Sequence, residues 1–187
     1  TAVKRALLAI RAGNPEAVIM IGAYRPCAAF IKLARQLEWR PLFVNISFVG
    51  SNALARELGP DGAGVIVTQV VPFPDDAAVP LIARYQRALR AVDRAAAPGF
   101  VTLEGYVVGR LVIAALERGP KDPTRERLLA SIAEGNFDLQ GISLNYSISD
   151  NSGSDKVYLT AIRRDRSVKA IGSLNAFDGK RPATRRP

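Results

Sequence analysis

The sequence predicts an α/β chain: a doubly wound parallel sheet, then a helical pair, then terminal antiparallel strands. Three observations carry this. Through the first hundred residues, apolar runs of strand length alternate with amphipathic helical segments, as βα units do. Those runs are continuous rather than alternating, the pattern of parallel strands covered on both faces. Beyond "AAAPG" (95–99) two helices follow one another with no strand between them. The chain then turns to polar/apolar alternation, as in antiparallel strands.

The elements follow in order. Residues 2–12 place Val3, Leu7 and Ile10 on one helical face, and "AGNP" ends the helix. "EAVIMIGA" (16–23) is the first strand. The next helix opens with Pro26 in its first turn, a favoured place for proline, and carries a stripe of Phe30, Leu33, Ala34 and Leu37. "GAYRP" (22–26) therefore reads as a loop at a strand's carboxyl end, where doubly wound sheets bind ligands. "PLFVNISFVG" (41–50) is the second strand, "SNALARELG" (51–59) a short helix closed by Gly59, and "GVIVTQVVPFP" (64–74) a third strand stopped by two prolines. Residues 76–96 read as one long helix with Leu81, Ile82, Tyr85, Leu89 and Val92 facing inward. "FVTLEGYVVGRLVIAALERG" (100–119) is a helix, joined by "GPKDP" to a second with Asp122 as N-cap and Pro123 at its first position. The antiparallel strands are "GISLNYSIS", "KVYLTAIRR" and "SVKAIG". Three parallel strands make a thin sheet for this fold, where about five is usual. Either an exposed edge pairs with another copy or preceding strands lie outside this sequence.

Composition narrows the function. The chain has 187 residues, 48% hydrophobic and 23% charged, as expected of one ordinary domain or one and a part. No apolar run approaches the ~20 residues of a membrane span, and "TAVKRALLAI" lacks the apolar centre and cleavage site of a signal peptide. The net charge of +9 raises nucleic-acid binding, but the basic residues are spread over helix faces and a tail, "GKRPATRRP", so no nucleic-acid partner is expected. Histidine is absent, which removes the commonest general base and metal ligand. With a single cysteine, neither an intrachain disulfide nor a Cys/His metal cluster is expected. No Gly-rich phosphate loop follows any strand and no paired carboxylates stand at a strand end. An enzyme, a cofactor and a metal are therefore not expected.

The order and spacing of five segments resemble a known family. They are "AVKRALLAIRAGNPEAVIMIGAY", "AAFIKLARQLEWRPLFVNISFVGSNALARELG", "GAGVIVTQVVPFP", "GFVTLEGYVVGRLVIAALERG" and the final strands ending "SVKAIG". Together they resemble the C-terminal half of the periplasmic substrate-binding proteins of branched-chain amino acid ABC transporters, the type I leucine/isoleucine/valine-binding family. The resemblance spans essentially the whole chain. It implies a two-lobed clamp that buries a small solute by hinge closure and delivers it to a membrane permease, in the periplasm. Against that plan residues 1–97 correspond to most of the second lobe, 98–140 to a helical pair of the first lobe, and 141–187 to strands returning through the hinge plus the basic tail. The family's first-lobe sheet and the opening strand and helix of the second lobe are missing, so the chain reads as a fragment.

The resemblance also implies site residues. Tyr24 falls at the family's cleft aromatic; its alternative is a loop tyrosine covering the next helix. Ser47 falls where amino-acid-binding members carry an acid that pairs with the ligand's ammonium. A serine supplies no charge, and a buried ammonium without a counter-charge is costly, which turns the expectation from leucine toward a carboxylate-bearing or aromatic solute. Phe48 either adds apolar surface to the cleft or belongs to the core. Phe100 falls on the cleft aromatic near the crossing into the first lobe. Glu104 and Tyr106 open the long helix, where Glu104 either meets the ligand or favours the helix dipole. Arg25 either clamps a ligand carboxylate or is a solvated surface cation. Cys27, in the first helical turn with no base beside it, is expected to be a small buried residue. The leading function is solute capture without chemistry. The alternative is the same clamp used as the ligand-sensing domain of a regulator or receptor.

Overall fold

The computed structural model describes residues 2–119, 121–133 and 135–174; the tail "GKRPATRRP" lies outside them. In chain order the helices are α1 (Ala2–Ala12), α2 (Tyr24–Gln36), α3 (Ser51–Leu58), α4 (Pro80–Val92), α5 (Phe100–Arg118) and α6 (Arg125–Ala133). The strands are β1 (Ala17–Met20), β2 (Leu42–Asn45), β3 (Ile66–Gln69), β4 (Asn136–Asp138), β5 (Ser143–Asn145), β6 (Tyr158–Ile162) and β7 (Val168–Ile171). The chain divides into two compact units: Thr1–Val70 with Tyr158–Pro187, and Val71–Val157.

The first unit holds a five-stranded sheet in the order β1-β2-β3-β6-β7. Its first three strands are parallel, with Ala17 opposite Leu42, Met20 opposite Asn45, and Asn45 opposite Val67. β6 and β7 are antiparallel, Val67 facing Thr160 and Leu159 facing Ile171. The parallel sheet and the terminal antiparallel strands are those the sequence predicts, and the last two bring the sheet to its usual width.

α2 sits between α1 and α3. It buries Cys27, Ala28, Phe30, Ile31 and Ala34, close to the predicted stripe. Its end is a Schellman closure: Trp39 donates its backbone N–H to the Ala34 carbonyl (2.9 Å) and Glu38 donates to the Arg35 carbonyl (3.0 Å). Glu38 takes the left-handed conformation there (φ 55°), where glycine is the usual residue. The closure drives Trp39 into the core. Its ring lies 6.4 Å from Phe30 and 6.2 Å from Phe43 of β2, and Phe30 and Phe43 meet edge-on at 6.2 Å. Arg35 covers the Phe43 ring at 5.3 Å.

Several expected boundaries move, each for a local reason. β2 ends at Asn45 because Ile46 starts a single 3-10 turn, Ser47–Val49, that runs into α3 through left-handed Gly50 (φ 72°). β3 stops at Gln69, before the prolines. The helix expected over 76–96 is only Pro80–Val92. Asp76 accepts from the Ala78 N–H (3.2 Å) and holds a turn ahead of Pro80, and Asp93 does the same for Ala95 (2.9 Å) beyond the end. Val92, expected to face inward, is 90% exposed. Thr124 rather than Asp122 caps α6, its hydroxyl accepting from the Arg127 N–H at 3.3 Å. β1, read as covered on both faces, is covered on one: Val18 is buried, while Ile19 is 72% exposed.

In the second unit, α5 and α6 pack together as the expected helical pair, and α4 packs on α5. The Gly99 N–H donates to the Tyr85 hydroxyl (2.9 Å), which bonds Thr102 Oγ1 in turn and so tethers the start of α5 to α4. β4 and β5 form an antiparallel hairpin in which Phe137 faces Leu144. Its turn contains Gly141 at φ 143°, where a side chain would also strike Val79.

The aromatic triangle predicts a large effect. Phe43 is 1% exposed, so Phe43→Ala is expected to destabilise the first unit by about 3–5 kcal/mol, measured as the shift in a urea unfolding midpoint.

Candidate functional site

The parallel register sets Met20, Asn45 and Gln69 at the carboxyl ends of β1, β2 and β3. Four of the predicted residues lie just beyond the first two strands. Tyr24 and Arg25 are not in a loop, as expected, but form the first turn of α2, whose N-cap is Ala23 (φ −68°, ψ 157°) with no side-chain cap. Proline at the third helical position allows this, because the N–H it lacks has no carbonyl to reach in a first turn. Tyr24 is half-buried and leans on the core. Arg25 is exposed, its guanidinium carbon 5.7 Å from the Tyr24 ring centroid, so the two side chains form one cation–π unit at the strand end.

Ser47 and Phe48 occupy the turn after β2. Ser47 is half-buried; Phe48 is 74% exposed and so belongs to the surface, not to the core. The turn is fastened by Val49 N–H to Ile46 O (3.0 Å) and Gly50 N–H to Ser47 O (3.1 Å). Of its three side chains only Val49 is buried.

At the ends of β2 and β3 lies a polar layer that the sequence reading missed. Gln69 donates through Nε2 to Ser51 Oγ (2.6 Å) and to Thr160 Oγ1 (3.2 Å), and Thr160 Oγ1 donates to the Val67 carbonyl (2.8 Å). All three side chains are buried, as is Asn45. Both amide atoms of Asn45, and Oε1 of Gln69, are buried without a hydrogen-bond partner. A buried polar group left unpaired costs about 1–3 kcal/mol. The available signal was an amide inside each apolar run, "LFVNI" and "VIVTQVV". From position 45 through the Ser47–Val49 turn, and at Gln69 and Val70, the strand ends of this unit carry no Asp or Glu.

The other two predicted residues belong to the second unit. Phe100 is 8% exposed, its ring edge-on to Phe73 at 5.7 Å. Glu104, one turn on, is half-buried. Burial raises its carboxyl above the usual value of 4.5, opposite to what a dominant helix dipole would do. Tyr106 packs against Tyr85 at 5.7 Å. Cys27 is buried as expected, and burial raises its thiol pKa, which disfavours the thiolate. Among the described residues no group of three His, Cys, Asp or Glu side chains is placed to hold a metal, and no helix is long and apolar enough to cross a membrane.

A raised carboxyl means the folded state holds the Glu104 proton more tightly than the unfolded chain does. Stability is therefore present below pH 4.5 and lost as pH rises through the folded value. Glu104→Gln is expected to melt above the wild type at pH 7, with the difference closing as the pH falls below that range; thermal unfolding across pH 4–8 measures it.

Comparison with known proteins agrees with this architecture. The periplasmic binding protein family matches residues 1–167. Among solved structures, the chain is similar to a possible leucine/isoleucine/valine-binding protein from Rhodopirellula baltica SH 1, at 38% identity and TM-score 0.77. That match covers 84% of this chain and 42% of the other. An extracellular ligand-binding receptor from Verminephrobacter eiseniae matches at 27% identity and TM-score 0.77, covering 90% and 48%. A substrate-binding periplasmic protein from Ralstonia solanacearum shares the fold at 22% identity and TM-score 0.75, covering 91% and 48%. The chain thus spans a little under half the length of these proteins. No match was found among curated proteins. With the family matched over most of its length and both the parallel sheet and the helical pair in place, the chain belongs to the periplasmic binding protein family.

Proposed function

We propose that the intact protein containing this chain is the extracytoplasmic solute-binding component of an ABC importer. It captures a small organic solute, amino acid-like or an aromatic carboxylate, by closing two lobes, and it carries out no chemistry. Family membership supports the solute-binding role and, with it, a periplasmic location and a membrane permease as partner. In this reading residues 1–97 supply most of the second lobe, 98–140 a helical pair of the first, and 141–187 the strands that return through the hinge. Tyr24, Arg25, Ser47 and Phe48 line the solute site in one lobe, and Phe100 and Glu104 in the other.

The observation that carries the solute class is the charge at the strand ends. Arg25 is seated on Tyr24, Ser47 is neutral, and no carboxylate stands beside them in the "GAYRP" and "NISFVGS" segments. A solute carboxylate finds a cation and hydroxyl donors there. A free ammonium finds no counter-charge.

Thermal shift of the full-length protein against leucine, valine and a set of aromatic carboxylates tests this. The aromatic acids are expected to raise Tm, and Tyr24→Ala to weaken them about tenfold or more through loss of ring contact. Stabilisation by leucine or valine alone would sink the reading.

β1 is an edge strand, and Ile19 on it and Ile21 just beyond it are 72% and 77% exposed, which supports self-association of the isolated chain through this edge. Light scattering of the purified 187-residue chain is expected to give a dimer; a monomer at all concentrations contradicts it.

A further inference from the structure

The charges of the first unit are sorted between the two ends of its sheet. Its described acids are Glu16, Glu38, Glu57, Asp61 and Asp165. Glu16 directly precedes β1, Glu38 lies between α2 and β2, and Glu57 and Asp61 lie between the last turn of α3 and β3. Asp165 is in the β6–β7 turn, which the antiparallel pairing of Ile66 with Ala161 sets beside the start of β3. All of them stand at the amino ends of the parallel strands. With them are the arginines that close α1, α2 and α3, Arg11, Arg35 and Arg56. A helix dipole favours a cation in the last turn, so stability accounts for these three.

The carboxyl ends differ. Arg25 stands there in the first turn of α2, where the dipole disfavours a cation. α1 adds two more. Residues 13–16 tie its last turn to the amino end of β1, and its 11 residues rise about 16 Å, so Lys4 and Arg5 lie toward the other end. α1 packs on α2. Val3, beside Lys4, and Tyr24, beside Arg25, lean on the same core cluster. Lys4, Arg5 and Arg25 are all exposed, and no described acid of the first unit stands at this end. Just ahead of β6 the chain carries Asp155 and Lys156, one charge of each sign. β6 is three strands from β1, about 14 Å at the usual spacing and beyond the ~8 Å screening length of physiological salt.

We infer that Lys4 and Arg5 are steering residues for an anionic solute. Their uncompensated positive field draws a carboxylate toward Arg25 and raises its association rate, while neither side chain touches the bound solute. The inference rests on the solute-binding reading above and adds a kinetic role on a helix outside the candidate site.

The test uses the full-length protein and stopped-flow mixing with benzoate and phenylacetate at low and high salt. Lys4→Gln with Arg5→Gln is expected to slow association about threefold or more at low salt, with the dissociation rate unchanged. The difference should vanish near 0.5 M NaCl, where screening is about twice as strong as at physiological salt. Arg11→Gln with Arg56→Gln removes the same net charge at the opposite end and should leave association as in the wild type. Lys4→Arg with Arg5→Lys keeps the charges and should restore the rate. Equal slowing by both neutral pairs, association unchanged in the Lys4 and Arg5 pair, or an effect confined to dissociation each overturns the inference and leaves the solute-binding reading standing. A wild type that binds neither acid overturns the inference together with the carboxylate reading.

Discussion

The constraint on which the first unit depends is the meeting of Phe30, Trp39 and Phe43. Three aromatic rings from a helix, the turn after it and the adjoining strand close on one another at 6.2–6.4 Å. For Trp39 to arrive there, α2 has to end where it does, and the Schellman closure at Glu38 makes it do so. Fixing the end of α2 against β2 fixes its beginning too. The first turn, with Tyr24 and Arg25, is thereby set over the carboxyl end of β1. The placement of the candidate site is a consequence of core packing about three helical turns away.

A second consequence concerns polarity inside the sheet. Parallel strands covered by helices are expected to be apolar throughout, yet β2 and β3 both end in a buried amide. Gln69 is partly accommodated by Ser51 and Thr160, which tie the start of α3 to the β3–β6 pair. Asn45 is not accommodated at all. A leucine would fill the same volume at no polar cost, so this position departs from what stability alone favours. Such departures concentrate where a protein meets its ligand, and this one lies two residues before Ser47.

The second unit uses the same economy of contacts differently. α5 is apolar over much of its length, but its buried residues are Phe100, Leu103, Val107 and Ala115, while Val101 and Val108 are 68% and 59% exposed. The Tyr85 hydroxyl holds the helix start through Gly99 and Thr102, and Phe73 closes on Phe100. The half-buried Glu104 sits one turn from that aromatic pair and is raised by burial.

What the sequence determined by itself was whatever short-range patterning encodes. Continuous apolar runs specified three parallel strands, and alternation specified the antiparallel β5, β6 and β7 but not β4. Proline and glycine positions ended most helices, and the ordered segments carried the family. Tyr24 and Ser47 became candidates because they follow strands that are legible in this way. The tertiary structure alone decided where extended chain stops and helix starts at Asn45 and Tyr24, because backbone hydrogen bonds and turn closure choose between conformations of similar local preference. It alone put Phe48 on the surface, opened the outer face of β1, and made neighbours of Gln69, Ser51 and Thr160. Gln69 and Thr160 are 91 residues apart in the chain. A buried amide lacks or has a partner only by virtue of what the folded chain brings beside it, and no local pattern carries that information.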